Sequence, residues 1–198
     1  MNNKRPKTIG EDIVNQYAVA VILIKETSED DEILFEIRSE KIGHQPGDIC
    51  IPGGKVENGE LPEEAVVREI SEELMIAPEQ VEVIRPISIL INNSQMIHTF
   101  LCALQGYQGS FSRDEVSDVF TVPLAFFRNN KPAVHEVSWH PEFKEDFPFD
   151  KIHGGRQYPW RQRKSRIRFY EYEGRVIWGI TARIIEDFVA DVGIGTMS

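Results

Sequence analysis

Residues 54–76 read GKVENGELPEEAVVREISEELMI, and their spacing decides the fold. A polar turn leads into Pro62, which suits the first helical position because its missing N–H has no intrahelical partner to lose. Glu63 and Glu64 follow, where carboxylates favour the positive end of the helix dipole. Leu61 is a poor N-cap, since it carries no side-chain oxygen. At about 100° per residue, Val66, Val67, Ile70 and Leu74 share one arc, which predicts a buried stripe. Glu69, Glu72 and Glu73 fall in a neighbouring arc, with the small Ala65 among them.

Three carboxylates on one side of an anchored helix repel one another, by about 0.2–0.5 kcal/mol per pair at helical spacing. A cation between them turns that repulsion into binding energy, because Mg²⁺ takes carboxylate oxygens in octahedral geometry. Arg68 stands four residues before Glu72 and can orient it as an ion pair. On the helix alone, a solvated acidic face explains the pattern as well as a metal site does.

The wider spacing separates the two. Gly54, Glu60, Arg68, Glu69, Ile70, Glu72, Glu73 and Ile76 stand in the order G-x5-E-x7-R-E-U-x-E-E-x-x-U, where U is a bulky aliphatic residue. This pattern closely resembles the Nudix box, the signature of hydrolases that act on nucleoside diphosphates linked to another moiety. The box's remaining fixed position, a glycine that supplies a left-handed helix cap, is Met75 here.

The resemblance implies an α/β fold, a sandwich with a mixed central sheet between helices and a loop-helix-loop over residues 54–76. It implies Mg²⁺ or Mn²⁺ as cofactor, with Glu69 and Glu73 as main ligands, Glu72 as a further ligand, and Gly53 and Gly54 as main-chain contacts to metal or phosphate. The general base in such enzymes is a box glutamate or one from a separate loop. Glu115 is the outside candidate, with Asp114 as its substitute. Such groups suit the reaction, because a pyrophosphate's negative oxygens repel hydroxide until cations neutralise them and a carboxylate aligns the attacking water.

Three further segments resemble the coenzyme A pyrophosphatase branch of that family. Residues 34–54, LFEIRSEKIGHQPGDICIPGG, match its pattern at Arg38, Ser39, Gly47, Pro52, Gly53 and Gly54; Gly43 replaces an arginine and Ile51 a phenylalanine. Residues 115–124 (EVSDVFTVPL) and 177–184 (IWGITARI) are the other two. His44 or Lys41 is a candidate to stand in for the missing arginine. A basic cluster, Arg156, Arg161, Arg163, Lys164, Arg166 and Arg168, stands out in an acidic chain. Guanidinium forks match phosphate oxygens, so Arg161 and Arg163 are candidates for gripping a 3′-phosphate or diphosphate.

Outward from the box, residues 17–24, 33–38, 81–91, 96–104 and 116–122 read as strands. The polar stretch at 26–32 and Asn92-Asn93-Ser94 read as turns, and Pro52-Gly53-Gly54 as a loop. Residues 123–128 read as a short helix or turn, 129–165 as a long functional loop, 167–172 with 175–178 as a hairpin, and 181–192 as an amphipathic helix. Residues 1–12 read as disordered or extended, and 13–198 as a single domain.

The net charge of −10 argues against a nucleic-acid partner, while a bound cation keeps an anionic small substrate possible. Two cysteines make no disulfide framework, and no apolar stretch approaches a membrane span, so a cytoplasmic protein without a membrane partner is expected. A homodimer is a base-rate expectation. Neither a P-loop nor a Rossmann fingerprint occurs. His135 and His140 stand five apart, off a common helical face, so HEVSWH is not an H-E-x-x-H zinc motif. The functional expectation is hydrolysis of coenzyme A or a close derivative. ADP-ribose or a dinucleotide as substrate, and a binding module without catalysis, are the alternatives.

Overall fold

The apolar run near the N-terminus forms β1 (Asn15–Ile24), the spine of the larger sheet. In this computed structural model, residues 14–24, 31–92 and 94–194 are described. The expectations for residues 1–12, for most of the 26–32 turn and for Asn93 lie outside them. β2 (Glu32–Arg38) runs antiparallel to β1, and β6 (Gln95–Leu104) runs parallel to it, from Asn15 opposite Gln95 to Leu23 opposite Ala103. β5 (Val81–Ile91) edges the sheet beside β6, and β7 (Val116–Pro123) pairs with β2. Short β3 (Ile49–Cys50) and β4 (Gly53–Lys55) pair with β2 and β1. The sheet is therefore mixed, as expected.

Strand alternation sends the two faces of β1 and β2 to different helices. Ala18, Ala20, Ile22 and Leu34 pack under α1 (Pro62–Leu74), against Ala65, Val66, Ile70 and Leu74. The alanines keep the sheet surface low where the helix crosses. Val21, Ile33 and Phe35 face α3 (Gly179–Ile194) and meet Ile185 and Phe188. Burying each such aliphatic side chain contributes about 1.5–3 kcal/mol. The expected α/β sandwich results. On the α3 side, α2 (Leu124–Asn129) adds Leu124 and Phe127 to the core.

Two sequence readings need correction. Residues 129–165 are not all loop: β8 (Ala133–Trp139) pairs with β9 (Arg163–Tyr172), which starts four residues before the expected hairpin strand and also pairs with β10 (Arg175–Trp178). β8 is mostly exposed, so it carries no apolar face to mark it. The segment between them does fold on its own aromatics, with Phe143, Phe147 and Trp160 in mutual contact. Likewise Gly53 and Gly54 are strand rather than loop, opposite Val19 and Ala18. Among the described residues, no helix is long and apolar enough to cross a membrane.

The ends of α1 are tied down despite Leu61. The Glu64 carboxylate accepts the Leu61 N–H at 2.9 Å. At the other end, the Ser110 hydroxyl donates to the Leu74 carbonyl at 2.6 Å and the Ser112 N–H to the Glu73 carbonyl at 2.7 Å. Met75 takes the left-handed cap itself, at φ 51° and ψ 50°, with its side chain exposed. A β-carbon there costs about 1–2 kcal/mol, so Met75→Gly is expected to raise the chemical-denaturation midpoint, against a smaller loss from unfolded-chain entropy. An unchanged or lower midpoint contradicts this account of the cap.

Candidate active site

Glu73 lies at the edge of the buried stripe of α1, only 20° round the helix wheel from Val66 by the roughly 100° rotation per residue. It is 7% exposed, and its Oε2 accepts the Gly53 N–H at 2.8 Å. One turn earlier, the Glu69 carboxylate rests against Gly54: a β-carbon on Gly54 would sit 2.3 Å from Glu69 Cδ. The glycines thus let β4 approach α1 closely enough to be crossed by two carboxylates.

Arg68 organises the other side. Its guanidinium grips Glu60 with two bonds, Nε to Oε1 at 2.9 Å and Nη2 to Oε2 at 3.1 Å. Nη1 donates to Glu69 at 2.9 Å and Glu72 at 3.2 Å, and Nη2 also reaches the Lys55 carbonyl. Glu72 is 56% exposed and held through Arg68 rather than beside Glu73. Among the described residues no three His, Cys, Asp or Glu side chains form a ready-made cage. The inner pair is Glu69 and Glu73, with Glu72 at the rim.

Two further carboxylates bear on this pair from outside the helix, the exposed Glu115 and the buried Glu36. Glu115 lies in a loop pinned at both ends: Ser112 bonds α1, and the Ser39 N–H donates to the Glu115 carbonyl at 2.8 Å. Glu36 comes from β2, on the face it shares with Leu34, and is 1% exposed. Sequence reasoning missed Glu36, because by alternation it shares a face with Glu32 and Arg38 and so reads as the polar side of β2.

Burial pushes the Glu36 carboxyl up to about 8, against the lowering effect of Arg38, with Glu115 and Glu69 adding to the rise. Glu73 is raised well above the ordinary range, first by burial and then by Glu36, despite the Gly53 N–H. Burial also raises Glu69, opposed by Arg68. The Cys50 thiol is likewise raised by burial, which makes it a poor nucleophile. A desolvated group of carboxylates that resist ionisation fits a hard divalent cation, whose charge offsets their repulsion.

The remaining expected residues divide. Arg38 is half-buried and its Nε donates to the His44 carbonyl at 3.3 Å, so His44 contributes its main chain while its ring lies in an exposed residue. Asp114 and Lys41 pair with each other at the surface, at 2.8 Å. Arg161 and Arg163 are exposed and are not brought to the carboxylates. Arg163 instead lines a cleft of about 650 Å³ with Trp139, Trp178, Asn92, Ser94 and Arg183, at the start of α3. Lys164 and Arg168 are paired with Glu136 and Glu186. Trp160 anchors its own loop.

A family model described as NUDIX domain matches residues 14–147. The peroxisomal coenzyme A diphosphatase NUDT7 of Mus musculus is 34% identical over 98 residues, which are 48% of this chain and 42% of that enzyme's length. The uncharacterized Nudix hydrolase NudL of Escherichia coli is 28% identical over 193 residues, 96% of this chain and 90% of that protein. In fold, the chain is similar to a MutT/nudix family protein from Enterococcus faecalis, with a TM-score of 0.55 at 15% identity, covering 96% of this chain and 66% of that one.

The two glycines should respond differently to alanine. At Gly53, φ is 139° and a β-carbon would lie 2.3 Å from the Ala18 carbonyl oxygen, so Gly53→Ala is expected to destabilise the fold by about 1–3 kcal/mol or more. At Gly54 the nearest clashes are with the movable Glu69 side chain. Gly54→Ala should therefore melt near wild type yet bind Mn²⁺ more weakly in a titration; equal losses of stability in both variants would contradict the distinction.

Proposed function

The chain belongs to the Nudix hydrolase family, and on that premise we propose that it hydrolyses the pyrophosphate linkage of coenzyme A or a close derivative, giving 3′,5′-ADP and a 4′-phosphopantetheine product. The observation that carries the reading is the Glu69 and Glu73 pair seated on Gly53 and Gly54. Similarity to the mouse coenzyme A diphosphatase supports the substrate, as does the resemblance of residues 34–54.

Glu69 and Glu73 would hold Mg²⁺ or Mn²⁺, with Glu72 and the Gly54 main chain as further contacts. Such a cation, when bound, neutralises phosphate oxygens and makes water easier to deprotonate. Arg68 keeps Glu69 in place through two simultaneous ion pairs, with Glu60 and Glu69. Gly53 and Gly54 keep β4 close beside α1, where the diphosphate would meet the cation, and Arg38 supplies a positive charge near Glu36. Glu115 takes a proton from the attacking water as its oxygen bonds phosphorus and the P–O bond to the leaving phosphate breaks.

Arg161 and Arg163 serve in this reading as grips for the 3′-phosphate. The basic cleft and the carboxylates both flank the first half of β1: Gly53 and Gly54 pair with Val19 and Ala18, while Ser94 of the cleft bonds Asn15. Gly43, in place of the branch's arginine, favours the second reading, another nucleoside diphosphate derivative such as ADP-ribose or a dinucleotide. A cytoplasmic setting is proposed from the free thiols of Cys50 and Cys102.

Incubation with coenzyme A, ADP-ribose and NADH, with and without Mg²⁺ or Mn²⁺, identifies the substrate from its products. Metal-dependent release of 3′,5′-ADP from coenzyme A is expected; preferential cleavage of ADP-ribose or NADH moves the assignment to the second reading. Glu69→Gln and Glu73→Gln should each lower turnover by orders of magnitude while leaving the fold intact, and near-wild-type rates at saturating Mg²⁺ would overturn the metal assignment. Arg161→Gln combined with Arg163→Gln should raise KM for coenzyme A more than for its 3′-dephosphorylated form, whereas equal effects would remove the grip.

A further inference from the structure

Glu36 sits where an apolar residue would cost nothing. β2 places it one pleat beyond Leu34, under α1, and it is 1% exposed. Among the described residues its Oε1 has no hydrogen-bond partner. Its neighbours offer little: Glu73, Glu69 and Glu115 bear on it as like charges, and Cys50 lies opposite it on β3. Arg38 is the cation that bears on it, yet the Arg38 Nε is turned to the His44 carbonyl. A buried carboxylate facing carboxylates, with an oxygen left over, is destabilising unless something positive shares the space.

The oxygens already engaged show where that charge would sit. Glu73 spends Oε2 on the Gly53 N–H, and Glu69 spends Oε1 on Arg68. Each keeps an oxygen outside those bonds, and a divalent cation that takes six oxygen ligands leaves room for a third carboxylate beside waters and phosphate oxygens. We propose that Glu36 is a further protein ligand of the divalent cation held by Glu69 and Glu73, reaching it from β2, outside the loop-helix-loop. The inference rests on the metal-dependent reading above. It makes the central sheet, and not the helix alone, part of the metal centre, so cation binding clamps β2 to α1.

The test is Mn²⁺ titration of the full chain, followed by electron paramagnetic resonance of the free ion, without nucleotide. Wild type is compared with Glu36→Gln and Glu36→Leu, and all three are melted in EDTA. Both variants should bind Mn²⁺ about tenfold more weakly or worse, gain less melting temperature from Mn²⁺, and melt in EDTA at or above wild type because a buried unpaired acid is gone. Unchanged Mn²⁺ affinity in the variants overturns the inference and leaves the metal-dependent reading standing. Weaker binding with a lower melting temperature in EDTA also overturns it, since Glu36 would then be supporting the fold. If Glu36→Leu does not fold, Glu36→Gln decides alone. No Mn²⁺ binding by wild type sinks both the inference and the reading beneath it.

Discussion

The close approach of β4 to α1 is the constraint on which the site depends. Without β-carbons at 53 and 54, the strand lies near enough for Glu73 to take a main-chain N–H and for Glu69 to rest against the Gly54 Cα. Any side chain there would push the carboxylates apart or break β4 from β1. The approach also withdraws the acids from water, which is why burial heads the causes of the upward shifts at Glu36, Glu69 and Glu73. The buried acids thus set up an electrostatic conflict at the centre of the protein that a divalent cation would relieve. Metal binding should release protons for the same reason.

The rest of the fold holds this conflict in place. α1 is fastened by its apolar stripe on the small residues of β1 and by Ser110 and Ser112 at its C-terminal carbonyls. The same serine loop continues into Glu115 and returns to β2 at Ser39, so helix, loop and strand are fixed to one another by main-chain bonds. Arg68, bound to Glu60, Glu69 and Glu72 at once, balances those three acids, while Glu36 bears on Glu73 as a like charge behind them. α3 and the second sheet fill the opposite face and carry the basic cleft.

Much of this was legible in residues 54–76. The helix, its buried stripe and the adjoining acidic arc followed from the 3.6-residue period, while the burial of Glu73 at the edge of that stripe did not. What escaped had physical causes. β8 lacks an apolar face, so its alternation carries no burial signal. Gly53 and Gly54 have turn composition yet are recruited into β4 by pairing with β1, a tertiary effect. Glu36 shares its strand face with Glu32 and Arg38, and its meaning depends on Glu69 and Glu73, more than thirty residues away in sequence. Glu72 belongs to the acidic arc by helical angle, but Arg68 holds it at the rim. Met75 shows that the left-handed cap is kept even where glycine is absent.

The central claim is that carboxylates of α1 and the sheet enclose one divalent cation. Anomalous diffraction from a crystal soaked in Mn²⁺ addresses it directly. The account predicts a peak bounded by Glu69, Glu73 and Glu36 beside Gly54. A well-ordered crystal with no peak there, and the same side chains turned away from one another, would contradict it.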